Sequence, residues 1–176
     1  MLTALALVAL LPAPALAQDA PPPVVNGTPT SSYEQVGALV ACTSSWCSDF
    51  CSATLIDADW VVTAAHCVDA IDEYYRYYSA TPYILFGATV DSYTDYGEIV
   101  DWTTHPSWDS RTLQNDIGIL ELSAQVTSMS PMPLNYDSPG TFTVSSLRYV
   151  GYGITRDSGS DSGTKRYADI PLYEYD

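Results

Sequence analysis

Between Phe50 and Cys67 the chain sets two apolar, β-prone runs around a short acidic turn. Phe50-Cys51-Ser52-Ala53-Thr54-Leu55-Ile56 comes first, Asp57-Ala58-Asp59 turns the chain, and Trp60-Val61-Val62-Thr63 returns. Branched and aromatic residues bounded by turn formers are the pattern of an antiparallel hairpin. The second run leads directly into Ala64-Ala65-His66-Cys67, so a histidine and a cysteine stand at a strand end, with Cys51 16 positions upstream.

The rest of the chain repeats the strand pattern. Val36–Ala41, Ala53–Ile56, Trp60–Ala64, Pro82–Phe86, Ile99–Trp102, Ile117–Leu122, Phe142–Val150 and Arg166–Leu172 are short apolar runs broken by Gly, Pro, Asp or Ser. Many short strands at this spacing predict a barrel or sandwich. Ala70–Tyr78 allows a turn of helix, and its Tyr74, Tyr75, Tyr77 and Tyr78 are expected on a variable surface loop rather than in a binding box. Ser123–Pro139, rich in Ser, Pro and Met, is expected to connect two β units.

Residues 1–17 have the pattern of a secretory signal. Leu2 to Leu11 is apolar and Ala15-Leu16-Ala17 fits a cleavage site before Gln18, although no Lys or Arg precedes Arg76. Pro12 and Pro14 break the run, which is too short to span a bilayer. Cys42, Cys47, Cys51 and Cys67 all follow the signal, and an even count in an exported chain favours disulfides over metal ligation. With 21 acidic against 6 basic residues the net charge is −15, which argues against nucleic acid or an anionic membrane as partner. Asp91, Asp95 and Glu98 are hard oxygen ligands that calcium could use, although surface loops are commonly acidic without it.

Phe-Cys-x-x-x-Leu-Ile at residues 50–56 followed by Trp-Val-Val-Thr-Ala-Ala-His-Cys at 60–67 resembles the chymotrypsin/trypsin-like serine proteases. A second stretch, His105-Pro106-Ser107-Trp108-Asp109 and then Asn115-Asp116-Ile117-Gly118-Ile119-Leu120-Glu121-Leu122, resembles the aspartate segment of that family. The resemblance implies an all-β, chymotrypsin-like double β-barrel, the first barrel near complete and the second only partial. It implies His66 as general base and Asp116 as the carboxylate that holds the imidazole in the productive tautomer. His105 is expected in a loop, outside that pair. A Cys51–Cys67 bridge is implied as well, and closing such a loop stabilises a fold by about 3 kcal/mol in the chain-entropy model. Cys42 and Cys47 fall outside the usual bridges of the family and are then expected to form a local loop of their own.

Val24-Val25-Asn26-Gly27 resembles the activated start of the family, but Pro23 precedes it where a basic residue is usual. Asn26-Gly27-Thr28 also fits a glycosylation sequon, with a simple turn as the plainer reading. The nucleophile segment Gly-Asp-Ser-Gly-Gly does not occur. Gly159-Ser160-Asp161-Ser162-Gly163 imitates it, but Ser162 follows Gly151-Tyr152-Gly153 too closely, in what has the composition of a mobile linker. Only the N-terminal part of the family pattern is covered, and about 50–90 further residues would hold the serine, the oxyanion hole and the specificity pocket. The expected organisation is a signal at 1–17, a short lead-in at 18–23, a barrel at 24–122, a connection at 123–140 and a partial barrel at 141–176.

The function so implied is a secreted (or periplasmic) serine endopeptidase acting on polypeptides, with no cofactor, no nucleic acid and no membrane after signal removal. The 176-residue chain by itself is expected to be inactive. The alternative is a non-catalytic secreted binding module that keeps the protease scaffold.

Overall fold

The computed structural model describes residues 27–137, 145–156 and 159–171. The signal, the Val24-Val25 start and the outer ends of the last two expected strands lie outside the described residues. Among the described residues there are nine strands and one helix: β1 (Thr28–Pro29), β2 (Val36–Cys42), β3 (Cys47–Leu55), β4 (Trp60–Thr63), α1 (Ala65–Tyr78), β5 (Thr81–Thr89), β6 (Ser92–Thr104), β7 (Gly118–Leu122), β8 (Ser146–Gly151) and β9 (Arg166–Pro171).

Six strands close on themselves in the order β2-β3-β4-β7-β6-β5, and β1, β9 and β8 form a separate sheet. This is the expected double-barrel architecture, with one barrel closed and the second represented by a partial sheet. The hairpin lies where the sequence puts it: Thr54 pairs with Val62 and Leu55 with Val61. Leu39, Leu55, Val61, Ile84, Phe86 and Leu120 are fully buried in the barrel interior. Burying each such side chain is worth about 1.5–3 kcal/mol, which makes this cluster the main source of fold stability.

Strand β2 is buried along its length up to Ala41 because both of its faces are covered. Leu39 points into the barrel, whereas Val36, Ala38 and Val40 pack outward against Tyr152. A two-sided strand of this kind reads as an unbroken apolar run rather than an alternation. Tyr152 fastens the second sheet to the barrel. Its hydroxyl lies 2.6 Å from the Gly87 carbonyl and 3.2 Å from that of Val36, and its N–H donates to Ser52 Oγ at 2.9 Å. Burial pushes its phenol above the ordinary tyrosine value. Lys165, 1% exposed, donates from Nζ to the Tyr33 carbonyl at 3.0 Å and so holds the segment after β1 onto the same sheet.

Two expectations need correction. Ala70–Tyr78, where the sequence allows a turn of helix, is the larger part of a 14-residue helix whose buried face is Ala65, Cys67, Val68 and Ile71, so its tyrosines stand on a helix and not on a loop. The clustered tyrosines hid this periodicity. The Gly159–Gly163 string is no loose linker in its described part. Asp161 accepts from the Thr155 hydroxyl at 2.7 Å and the Thr155 N–H at 3.1 Å. Gly163, at φ +85°, accepts from Val90 N–H at 2.9 Å and donates to the Tyr152 carbonyl at 2.8 Å. The acidic loop Asp91–Glu98 is a tight hairpin, in which Asp95 faces Phe86 and Glu98 faces Tyr83. Its acids do not converge; among the described residues the one such cluster is Cys51, His66 and Cys67.

Helix α1 packs on β7 at Gly118, where a Cβ would lie 2.5 Å from Val68 Cγ2 and 3.1 Å from the Thr103 carbonyl. Gly118→Ala should therefore cost about 1–3 kcal/mol by overpacking. Gly153→Ala meets nothing within 4 Å and should change stability by no more than about 0.5 kcal/mol. Urea denaturation of the two variants checks this, and equal stabilities would refute the packing argument.

Candidate active site

Strand β4 ends at Thr63, and Ala64 (φ −77°, ψ 151°) leads the chain into α1 without offering a side-chain cap. The first N–H groups of a helix need acceptors from elsewhere. Asp116 supplies one: its Oδ1 accepts the His66 N–H at 2.9 Å. Its other oxygen, Oδ2, lies 2.7 Å from His66 Nδ1. One carboxylate thus caps the helix and holds the imidazole that the helix carries.

Asp116 is delivered by a structured loop. His105 N–H donates to Ile117 O at 2.9 Å, and Asn115 Nδ2 donates to Ser107 O at 2.8 Å. Leu113 and Asn115 take left-handed backbone angles at φ 56° and 58°. Trp108 Nε1 donates to Asp69 Oδ2 at 2.9 Å and ties this loop to α1. His105 serves the loop, its Nδ1 accepting from Ser107 N–H at 3.1 Å. The Asp69 tether was not legible in the sequence, because it depends on α1 being helical from Ala65 onward.

The second anchor of the histidine is covalent. Cys51 on β3 is bonded to Cys67, the residue after His66, and Cys42 is bonded to Cys47 across the β2–β3 turn. His66 Nε2 lies 3.4 Å from Cys67 Sγ. Cys51, His66 and Cys67 cluster as a metal site would, but both sulfurs are committed to the bridge.

The His66 side chain is 40% exposed and that of Asp116 26%, so the pair faces solvent on one side. Burial raises the Asp116 carboxyl, but the His66 N–H, the His66 ring and the Ala65 N–H outweigh it and hold it below its ordinary 3.8. Above Asp116 a cavity of about 370 Å³ opens between the barrel and the second sheet, lined by Ser52, Val62, Ala64, Ile117 and Val150. Ser162 lies elsewhere, beside the β5–β6 turn, with no hydrogen bond to His66 among the described residues.

His66 thus stands just after a strand end, anchored through the disulfide of its neighbour and aligned by a carboxylate 50 residues on. The profile of the Trypsin family matches residues 24–176. The chain belongs to the trypsin family. It is 31% identical to a trypsin of Phaedon cochleariae over 128 residues, 69% of this chain and 47% of that protein. It is 30% identical to chymotrypsin-like elastase family member 1 of Bos taurus over 164 residues, 86% of this chain and 58% of the relative. Brachyurin of Leptuca pugilator is 27% identical over 153 residues, 78% of this chain and 64% of the relative. The trypsin-family chain thus spans about half to two-thirds of the length of these curated relatives.

The depressed Asp116 carboxyl contributes stability that is present above its ordinary pKa of 3.8 and lost as pH falls below that value. Asp116→Asn should flatten that part of the stability–pH curve, measured by thermal melts between pH 2 and 6. Asp116→Ala, which strips the helix of its acceptor, should also cost about 1 kcal/mol at neutral pH. An unchanged acid limb in the Asn variant would refute the linkage.

Proposed function

We propose that this chain is the base-bearing part of a secreted serine endopeptidase. The observation that carries the reading is the 2.7 Å contact between His66 Nδ1 and Asp116 Oδ2 in a trypsin-family chain. With its Nδ1–H donating a hydrogen bond to Asp116, the imidazole keeps the Nε2 lone pair as the base. In the reaction Nε2 takes the proton of a serine hydroxyl as the oxygen attacks a peptide carbonyl. Asp116 stabilises the imidazolium so formed, and Nε2 then hands the proton to the departing amine.

The serine itself is not among these residues on this reading, since Gly-Asp-Ser-Gly-Gly does not occur and Ser162 is held at the β5–β6 turn. Export is supported by two disulfides and by the apolar leader at Leu2–Leu11, which lies outside the described residues. No helix among the described residues is long and apolar enough to cross a membrane. A polypeptide substrate follows from the family.

Purified Gln18–Asp176 should resist covalent labelling by a fluorophosphonate; labelling abolished by Ser162→Ala would overturn the placement of the nucleophile. In a form extended through a Gly-Asp-Ser-Gly-Gly segment, Asp116→Asn should lower kcat for peptide hydrolysis about 10⁴-fold, as loss of an orienting carboxylate does. Undiminished turnover would refute the assignment of Asp116.

A further inference from the structure

The two disulfides stand in different surroundings. Cys67, 4% exposed, belongs to the barrel core, and Cys51 packs against it. Cys42 and Cys47 instead face each other in register at the tip of the β2–β3 hairpin. Cys47 is exposed, whereas Cys42 leans on the outer cluster of Val36, Ala38, Val40 and Tyr152. Their bridge closes a sequence separation of 5, against 16 for Cys51–Cys67. In the chain-entropy model the shorter loop contributes less to the fold, so opening it costs less. The tip carries Trp46, which is 38% exposed. Thr43 N–H donates to Trp46 O at 2.8 Å, and Trp46 N–H donates to Thr43 Oγ1 at 3.3 Å. The indole packs on Tyr74 at 6.2 Å and on Tyr78 at 6.1 Å between ring centroids. Those tyrosines and His66 are among the walls of a hollow of about 240 Å³.

We propose that Cys42–Cys47 is a thiol-exchange site, opened by a small external thiol while Cys51–Cys67 stays closed. Exchange depends on access of a thiolate to the sulfur it attacks. Cys47 offers that access, and Cys42, held against its cluster, is the leaving sulfur. The external thiolate bonds to Cys47 Sγ, the bond between the two cysteine sulfurs breaks, and its electron pair leaves on Cys42 Sγ, which takes a proton from water. A second external thiolate then displaces the first from Cys47, which is protonated in turn. Two external thiols end as one disulfide, and the protein gains two thiols. Ala41 still pairs with Ser48, so the two sulfurs stay close enough for an external disulfide to restore the bridge. While it is open, Trp46 is held only by Thr43 and by its packing on α1. The change is felt at the aromatic face beside His66 and leaves the Asp116 contacts alone. None of this depends on the proposed role of His66.

The folded, oxidised chain is treated with dithiothreitol without denaturant, quenched with iodoacetamide at intervals and mapped by mass spectrometry. Cys42 and Cys47 should be alkylated at least about tenfold faster than Cys51 and Cys67, because access governs exchange. A brief exposure to mercaptoethanol should leave the adduct on Cys47 and the alkyl group on Cys42. Tryptophan fluorescence should change on the time course of Cys47 alkylation, and Trp46→Phe should abolish that change. Opening of both bridges at one rate, an adduct chiefly on Cys42, or the lack of a Trp46-dependent fluorescence change would overturn the proposal.

Discussion

The carboxylate of Asp116 is the constraint on which the site depends. It meets two demands with one group: the open N–H of His66 at the start of α1, and the Nδ1 of the His66 ring. Neither contact can be made unless the helix begins where it does, so the placement of α1 and the orientation of the imidazole become one structural fact. The cost of partly burying Asp116 is offset by these contacts, and its carboxyl ends below the ordinary range. The Cys51–Cys67 bridge acts on the same spot from the other side, tying β3 to the residue after His66. A disulfide limits where the backbone can go, while the carboxylate decides which way the ring turns.

Much of this was legible because the barrel depends on local patterns. Short β-branched runs around Asp57-Ala58-Asp59 gave the hairpin, and apolar runs at Pro82–Phe86 and Ile117–Leu122 fell within or on β5 and β7. Their ends were less legible. Strands β5 and β6 extend to Thr89 and Thr104 through small or polar residues that carry no apolar alternation. Register shifts near Gly87 and between Ile99 and Asp101 break the alternation on which a sequence pattern rests.

Of the helix only a turn was legible, for a different reason. Its buried positions, Ala65, Cys67, Val68 and Ile71, include two small residues, while its largest apolar groups, Tyr75, Tyr77 and Tyr78, are exposed. A stripe so weak in hydrophobic contrast does not announce a period of 3.6. What holds the helix is tertiary: the Asp116 cap, the Trp108–Asp69 tether and the seat against Gly118. Buried Lys165 is illegible in the same sense. Its ammonium is satisfied by carbonyls more than 130 residues away in the chain, a partnership with no local signature. Burial pulls that ammonium below the ordinary lysine value against the opposing charge of Glu34.

These two kinds of information sort by location. Residues that build the His66–Asp116 pair lie at the junction of β4, α1 and β7, where a change in one element misplaces the other two. The aromatic face of α1 lies on the rim, beside His66 but without a hydrogen bond to it. A rim wall can be rebuilt without disturbing the pair, since Trp46, Tyr74 and Tyr78 rest on one another and on Phe50 rather than on Asp116. Holding the imidazole and walling its rim are therefore done by separate contacts. The first set is constrained by the junction of three elements, and the second only by its own aromatic packing.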